Sequence, residues 1–279
     1  VSMSRTFLIL FSLLALNLSI ANAQSDLINR GRAWMSPDDI ERAIKDSDIA
    51  VKFHPESATA YYNRGVLLQA NGETAKALND YNRAIEIRPR YPSAYVNRAA
   101  VYYSLNRLNE ALDDFNRAIE LDANHANAFT NRGVVKVARG DYDGALADHN
   151  KAIRLNPKLA NAFYNRGVLY LSKKDVSLAL ADFTRAIELE PAMAEAYVNR
   201  GSVFFALDKL NEAILDYDRA IVLDDQLPAV YQNRGIAYLL LGREADANRD
   251  FRRCLELDSS LKPSLDSAIS SARARLSKK

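Results

Sequence analysis

The pair Asn-Arg recurs seven times at intervals of 34 residues, at Asn29-Arg30, Asn63-Arg64, Asn97-Arg98, Asn131-Arg132, Asn165-Arg166, Asn199-Arg200 and Asn233-Arg234. Gly follows in six copies and Ala99 in the third. An unbroken period of this length marks a stacked array, in which each unit packs on its neighbours and no single large core is needed. That constrains architecture far more than a length of 279 residues does.

With Asn-Arg at positions six and seven, the units run 24–57, 58–91, 92–125, 126–159, 160–193, 194–227 and 228–261, and residues 262–279 remain. The apolar spacing inside a unit is helical. In 58–91, Tyr61, Gly65 and Leu68 form the stripe of a first helix, and Gly72 stands where the chain must turn. Ala77, Tyr81 and Ala84 then form the stripe of a second helix, and Pro89 ends it because proline lacks the amide needed to continue. The first unit departs from the pattern with Leu27 and Ser47, and its second helix is expected to start at Ser36-Pro37-Asp38. After 261, Leu265, Ile269, Ala272 and Leu276 predict an amphipathic helix that caps the exposed end of the last unit.

Two opposite charges also keep fixed slots. Position seven is always Arg and position 23 always Asp. At 100° per residue each lies on the flank of its helix's packed stripe. The expected ion pairs across each hairpin are Arg30–Asp46, Arg64–Asp80, Arg98–Asp114, Arg132–Asp148, Arg166–Asp182, Arg200–Asp216 and Arg234–Asp250. Arg suits the slot because its planar fork grips a carboxylate bidentately while its stem packs on apolar neighbours. The rival reading sends these arginines into a groove to hold acidic ligands.

The period of 34, the aromatic at position four, Gly at eight, Ala at 20, the aromatic at 24, Ala at 27 and Pro at 32 closely resemble the tetratricopeptide repeat (TPR) family over residues 24–261. The resemblance implies an all-α, right-handed superhelical solenoid of antiparallel helix pairs, whose first helices line a concave groove. The organisation expected is a signal peptide at 1–23, a degenerate first repeat at 24–57, six regular repeats at 58–261 and a capping helix at 262–279.

Position six lies about 200° from the position-four ring, so the asparagines form a ladder on that groove. Asn offers a donor and an acceptor and pairs with a peptide main chain without reading its sequence. Asn is also a poor helix former, so repeated mid-helix copies carry a local penalty that a merely solvated face does not require. The expected peptide-binding set is Asn63, Asn97, Asn131, Asn165, Asn199 and Asn233, with Tyr103, Tyr164 and Phe205 among the apolar lining. The basic clamp of chaperone-adaptor TPR domains is missing, whereas the Asn ladder resembles that of peptide-binding TPR superhelices in glycosyltransferases. An apolar, amide-lined trough fits an extended peptide or an inserted helix.

Residues 1–23 read as a secretory signal: Arg5 at the positive end, an apolar stretch from Phe7 to Ile20, and Ala21-Asn22-Ala23 as a cleavage site. The apolar stretch falls short of the roughly 20 residues that span a bilayer, so cleavage and export to the periplasm or the outside are expected over an uncleaved anchor. The net charge of +2 carries no footprint of nucleic-acid binding. Cys254 is the single cysteine and takes a slot held elsewhere by Ala, so it is expected to pack as a small hydrophobe. His54, His125 and His149 lack metal-ligand spacing, and no nucleophile, base and orienter set is visible. The chain therefore reads as a non-catalytic adaptor or scaffold, without cofactor or metal, for a protein or peptide partner. Its rival is a self-assembling module whose groove is filled by its own terminal segment or a second copy.

Overall fold

The computed structural model describes residues 36–277. The leader at 1–23, Leu27, Asn29, the arginine of the Arg30–Asp46 pair and Lys278-Lys279 lie outside the described residues. Within them the helices are α1 (Pro37–Phe53), α2 (Ala58–Ala70), α3 (Thr74–Ile87), α4 (Pro92–Ser104), α5 (Leu108–Leu121), α6 (Ala126–Ala138), α7 (Tyr142–Leu155), α8 (Ala160–Ser172), α9 (Val176–Leu189), α10 (Ala194–Ala206), α11 (Leu210–Leu223), α12 (Pro228–Leu240), α13 (Glu244–Leu257) and α14 (Lys262–Leu276). Even-numbered helices from α2 to α12 are the first helices of the repeats, and odd-numbered ones are the second. The described residues form two compact units, 36–165 and 166–277, divided inside α8.

In the 36–165 unit, α1 starts where the Ser36 hydroxyl accepts the Asp39 amide at 3.2 Å, with Pro37 in the first turn. Each following hairpin packs its two helices together and its second helix against the next first helix. Small residues at position 20 and rings at 24 are wholly excluded from water: Ala77 with Tyr81, Ala111 with Phe115, Ala145 with His149. The 166–277 unit repeats the pattern with Ala179 and Phe183, then Ala213 and Tyr217. Gly at position eight lets the first helix lie on that ring. A Cβ on Gly65 would stand 2.8 Å from Cε1 of Tyr81, and one on Gly201 2.9 Å from Cε1 of Tyr217.

The turns are as regular as the helices. Position 15 has positive φ in every described hairpin, at Gly72, Asn106, Gly140, Lys174, Asp208 and Gly242. In the first of them the Glu73 amide donates to the Leu68 carbonyl and the Gly72 amide to that of Gln69. This is the Schellman closure of a helix, which satisfies the last carbonyls while reversing the chain. Gly72 was the residue the spacing assigned to the turn; Lys174 and Asp208 hold the same left-handed conformation without glycine's freedom.

Candidate functional site

The arginines at position seven occupy the interior edge of each hairpin. Arg64 Nε donates to Asp80 Oδ2 and Nη2 to Asp80 Oδ1, both at 2.7 Å. The same two-point grip joins Arg98 to Asp114, Arg132 to Asp148, Arg166 to Asp182, Arg200 to Asp216 and Arg234 to Asp250, with no bond longer than 2.8 Å. The aspartates are buried, and the arginine side chains are only 16–21 % exposed. Its bonds to Asp80 hold the Arg64 guanidinium above its ordinary range.

The third guanidinium nitrogen has a partner that the sequence reading did not name. Arg64 Nη1 donates to Asp48 at 2.9 Å, Arg98 to Asn82 and Arg132 to Asn116 at 2.8 Å, Arg200 to Thr184 at 3.3 Å and Arg234 to Asp218 at 2.6 Å. Each acceptor stands at position 25 of the preceding repeat. One arginine therefore ties its own hairpin together and ties that hairpin to the repeat before it. Rings complete the slot: Arg98 lies 5.5 Å from the Tyr95 ring centroid and 5.7 Å from that of Tyr102, and Arg234 is flanked by Tyr231 and Tyr238. In the 126–159 repeat Lys136 replaces the second ring and reaches Asp148 Oδ2 at 2.8 Å.

The asparagine ladder occupies the adjoining face of the first helices. In the 36–165 unit Asn63 is exposed, and Asn97, Asn131 and Asn165 are half-buried. Asn97 Nδ2 already donates to Tyr62 Oη at 3.1 Å, across to the preceding repeat. In the 166–277 unit Asn199 and Asn233 are buried, at 5 % and 8 % exposure. The rings expected to line a trough are buried too: Tyr103, Tyr164 and Phe205 are 3 %, 5 % and 6 % exposed. For Tyr103 and Phe205 the reason is that each one's helix touches the next first helix. Tyr103 shares a cluster with Val134, and Phe205 shares one with Ile236, so position 12 of one repeat fills space against position nine of the next. The face is thus polar at its surface and apolar beneath. The Tyr103 hydroxyl is buried without a hydrogen-bond partner among the described residues.

The C-terminal helix was expected to cover the exposed face of the last repeat, and α14 does lie on that repeat. It packs along α12, where a further first helix would have packed mainly on α13, as α12 does on α11. Leu265 and Ala272 are buried in one cluster with Phe205, Ile236 and Leu239, and Ala268 and Ile269 lie half-buried against it. Arg275 Nη2 donates to Asp208 Oδ1 at 2.7 Å, in the hairpin turn of the repeat before. Its apolar stripe and the repeat it would cover were legible, but not that it would run along the first helix of that repeat.

Helical hairpins joined by charged clamps and presenting a polar strip of side chains define an interaction module. TPR family models match residues 58–91, 92–125 and 160–193 as tetratricopeptide repeat, 135–174 and 201–242 as TPR repeat, and 228–261 as a further tetratricopeptide repeat. The chain belongs to the TPR family. No curated protein matches it in sequence. Among solved structures it is similar to a chain of the APC/C hetero-tetramer Cut9-Hcn1, with TM-score 0.74 and 17 % identity over 84 % of this chain; it spans 46 % of that chain. It is similar to YrrB, described as a TPR protein with an unusual peptide-binding site, at TM-score 0.54 and 25 % identity, covering 67 % of this chain and 96 % of that one. PilF of Pseudomonas aeruginosa aligns at TM-score 0.68 and 19 % identity over 74 % of this chain and 94 % of its own.

Proposed function

We propose that this protein is a non-catalytic adaptor that holds an extended segment of a partner protein on the first-helix face of its 36–165 unit. The observation that carries the reading is the run of exposed Asn63 and half-buried Asn97 and Asn131, one amide per repeat on one face. First helices in contact lie about 8–10 Å apart. That is roughly the span of three residues of extended chain, so successive amides meet every third peptide unit of a bound strand. An amide both donates and accepts, which favours grip on the main chain over reading of side chains. The peptide-binding site named for YrrB supports the same class of ligand. The leader-like sequence at 1–23 supports action outside the cytosol, in the periplasm or beyond the cell.

Selection of peptides from a random decapeptide library against the immobilised chain tests the reading. Peptides enriched on the wild type are expected to lose at least about tenfold in affinity on an Asn63→Ala, Asn97→Ala, Asn131→Ala variant that melts normally. Failure to enrich any peptide, or equal affinity for the variant, would remove the adaptor role. A second reading, in which the protein assembles with itself, is favoured by the way the chain's own α14 already lies on α12. A concentration-dependent mass in light scattering would support it.

A further inference from the structure

The last helix offers a reading of how one binding face is controlled and what it accepts. We propose that α14 is a releasable internal plug on the 166–277 unit. In its place the face under it takes a partner's amphipathic helix, with apolar residues at the Leu265, Ile269, Ala272 spacing and a basic last turn. The proposal rests on the reading that first-helix faces of this chain bind partner segments.

Three observations carry it. The first is position. A helix that continued the stack would bury the outer side of α13, yet α14 follows α12 and ends at Asp208, one repeat back. It covers a first-helix face rather than extending the array. The second is the chemistry of the face. Ile236 and Leu239, at positions nine and twelve of the last repeat, join Phe205 to make the apolar floor, and Leu265 with Ala272 seals it. Asp208, 51 % exposed at its side chain, supplies an anion at the far end. No other described hairpin has an acid at that position. A helix that fits must therefore bring both an apolar stripe and a cation near its C-terminus, as α14 does with Arg275.

The third observation is the weakness of the hold. Only Leu265 and Ala272 of α14 are fully buried, whereas α12 buries eight residues. No side chain caps the start of α14. Ser264, Ser267, Ser270 and Ser271 lower its intrinsic helicity, and a helix of 15 residues is marginal on its own. The Arg275–Asp208 pair is exposed on both sides, and such pairs contribute little. A segment with few buried contacts opens far more readily than the helices beneath it.

Hydrogen exchange on the full wild-type chain reads the opening directly. Amides of α14 are expected to exchange at least about a hundredfold faster than those of α12. A labelled peptide with the sequence of residues 262–277 then serves as the probe helix. A full-length Leu265→Asp, Ile269→Asp variant is expected to bind it at least about tenfold more tightly than the wild type does. Adding Asp208→Arg is expected to weaken that binding about two- to threefold, and a probe carrying Arg275→Asp to restore it. Exchange of α14 as slow as that of α12 would overturn the proposal. So would equal binding of the probe to wild type and variant, or no binding to a variant whose circular dichroism remains helical. A chain that sediments as a dimer through exchanged α14 helices would name a second copy as the occupant and also overturn it. The exchange measurement needs no ligand, so its failure leaves the peptide selection on the Asn63, Asn97 and Asn131 face unaffected.

Discussion

At the scale of single residues, the arginine at position seven determines the local structure more than any other side chain. Its five donors and planar fork let it serve a carboxylate ahead and a polar oxygen behind at once. Removing the carboxylate strands a largely buried cation, so Asp216→Ala is expected to cost about 3 kcal/mol, read as a lowered urea midpoint at unchanged slope. A cost below about 1 kcal/mol would mean that solvent satisfies Arg200 instead. The Arg–Asp half of the clamp was legible because both residue types recur in every copy. The other half was not, because in the repeats that a further repeat follows, position 25 changes among Asp48, Asn82, Asn116, Asn150, Thr184 and Asp218. These differ in charge and shape but all present an oxygen. A search for shared acceptors, rather than shared identities, would have found the slot. The buried rings Tyr103, Tyr164 and Phe205 were hidden for a similar reason: helical phase shows which way a side chain leaves its own helix, not how close the next helix comes.

At the scale of the element, each hairpin depends on one residue in left-handed conformation. Lys174 has φ 66° and pays the steric penalty of a Cβ there, which glycine escapes. Lys174→Gly relieves about 1–2 kcal/mol of strain and gives back about 0.4–1 kcal/mol through a freer unfolded chain. A net gain of about 0.5–1 kcal/mol is expected, seen as a small rise in melting temperature; a loss would show that the lysine makes a contact worth more than the strain. In repeat 58–91 the turn at Gly72 and the stop before Pro89 were read from the sequence, since both residues act locally, and α3 ends at Ile87. The site of α14 depended on which of two apolar surfaces it would meet, and no local signal distinguishes them.

At the scale of the whole molecule, cores are local to groups of repeats, and stability in such arrays is a sum of unit and nearest-neighbour terms. Cys254 makes this measurable. It is the single cysteine of the chain, it is wholly buried on α13, and burial pushes its thiol above its ordinary range. Thiol labelling in urea therefore reports on the 166–277 unit alone. Asp216→Ala is expected to shift the labelling midpoint clearly and Asp80→Ala much less. Equal shifts would show that all described repeats unfold as one.

The clamp has one more consequence. The Arg64 and Arg98 guanidinium groups each grip a carboxylate sixteen residues ahead and an oxygen sixteen residues behind. Losing or gaining one residue inside a second helix would push an aspartate or an oxygen bearer out of reach and leave two neighbours mismatched at once. Growth or shortening by entire 34-residue copies leaves every such bond intact. A whole copy is thus the step by which an array held this way lengthens or shortens without breaking a clamp.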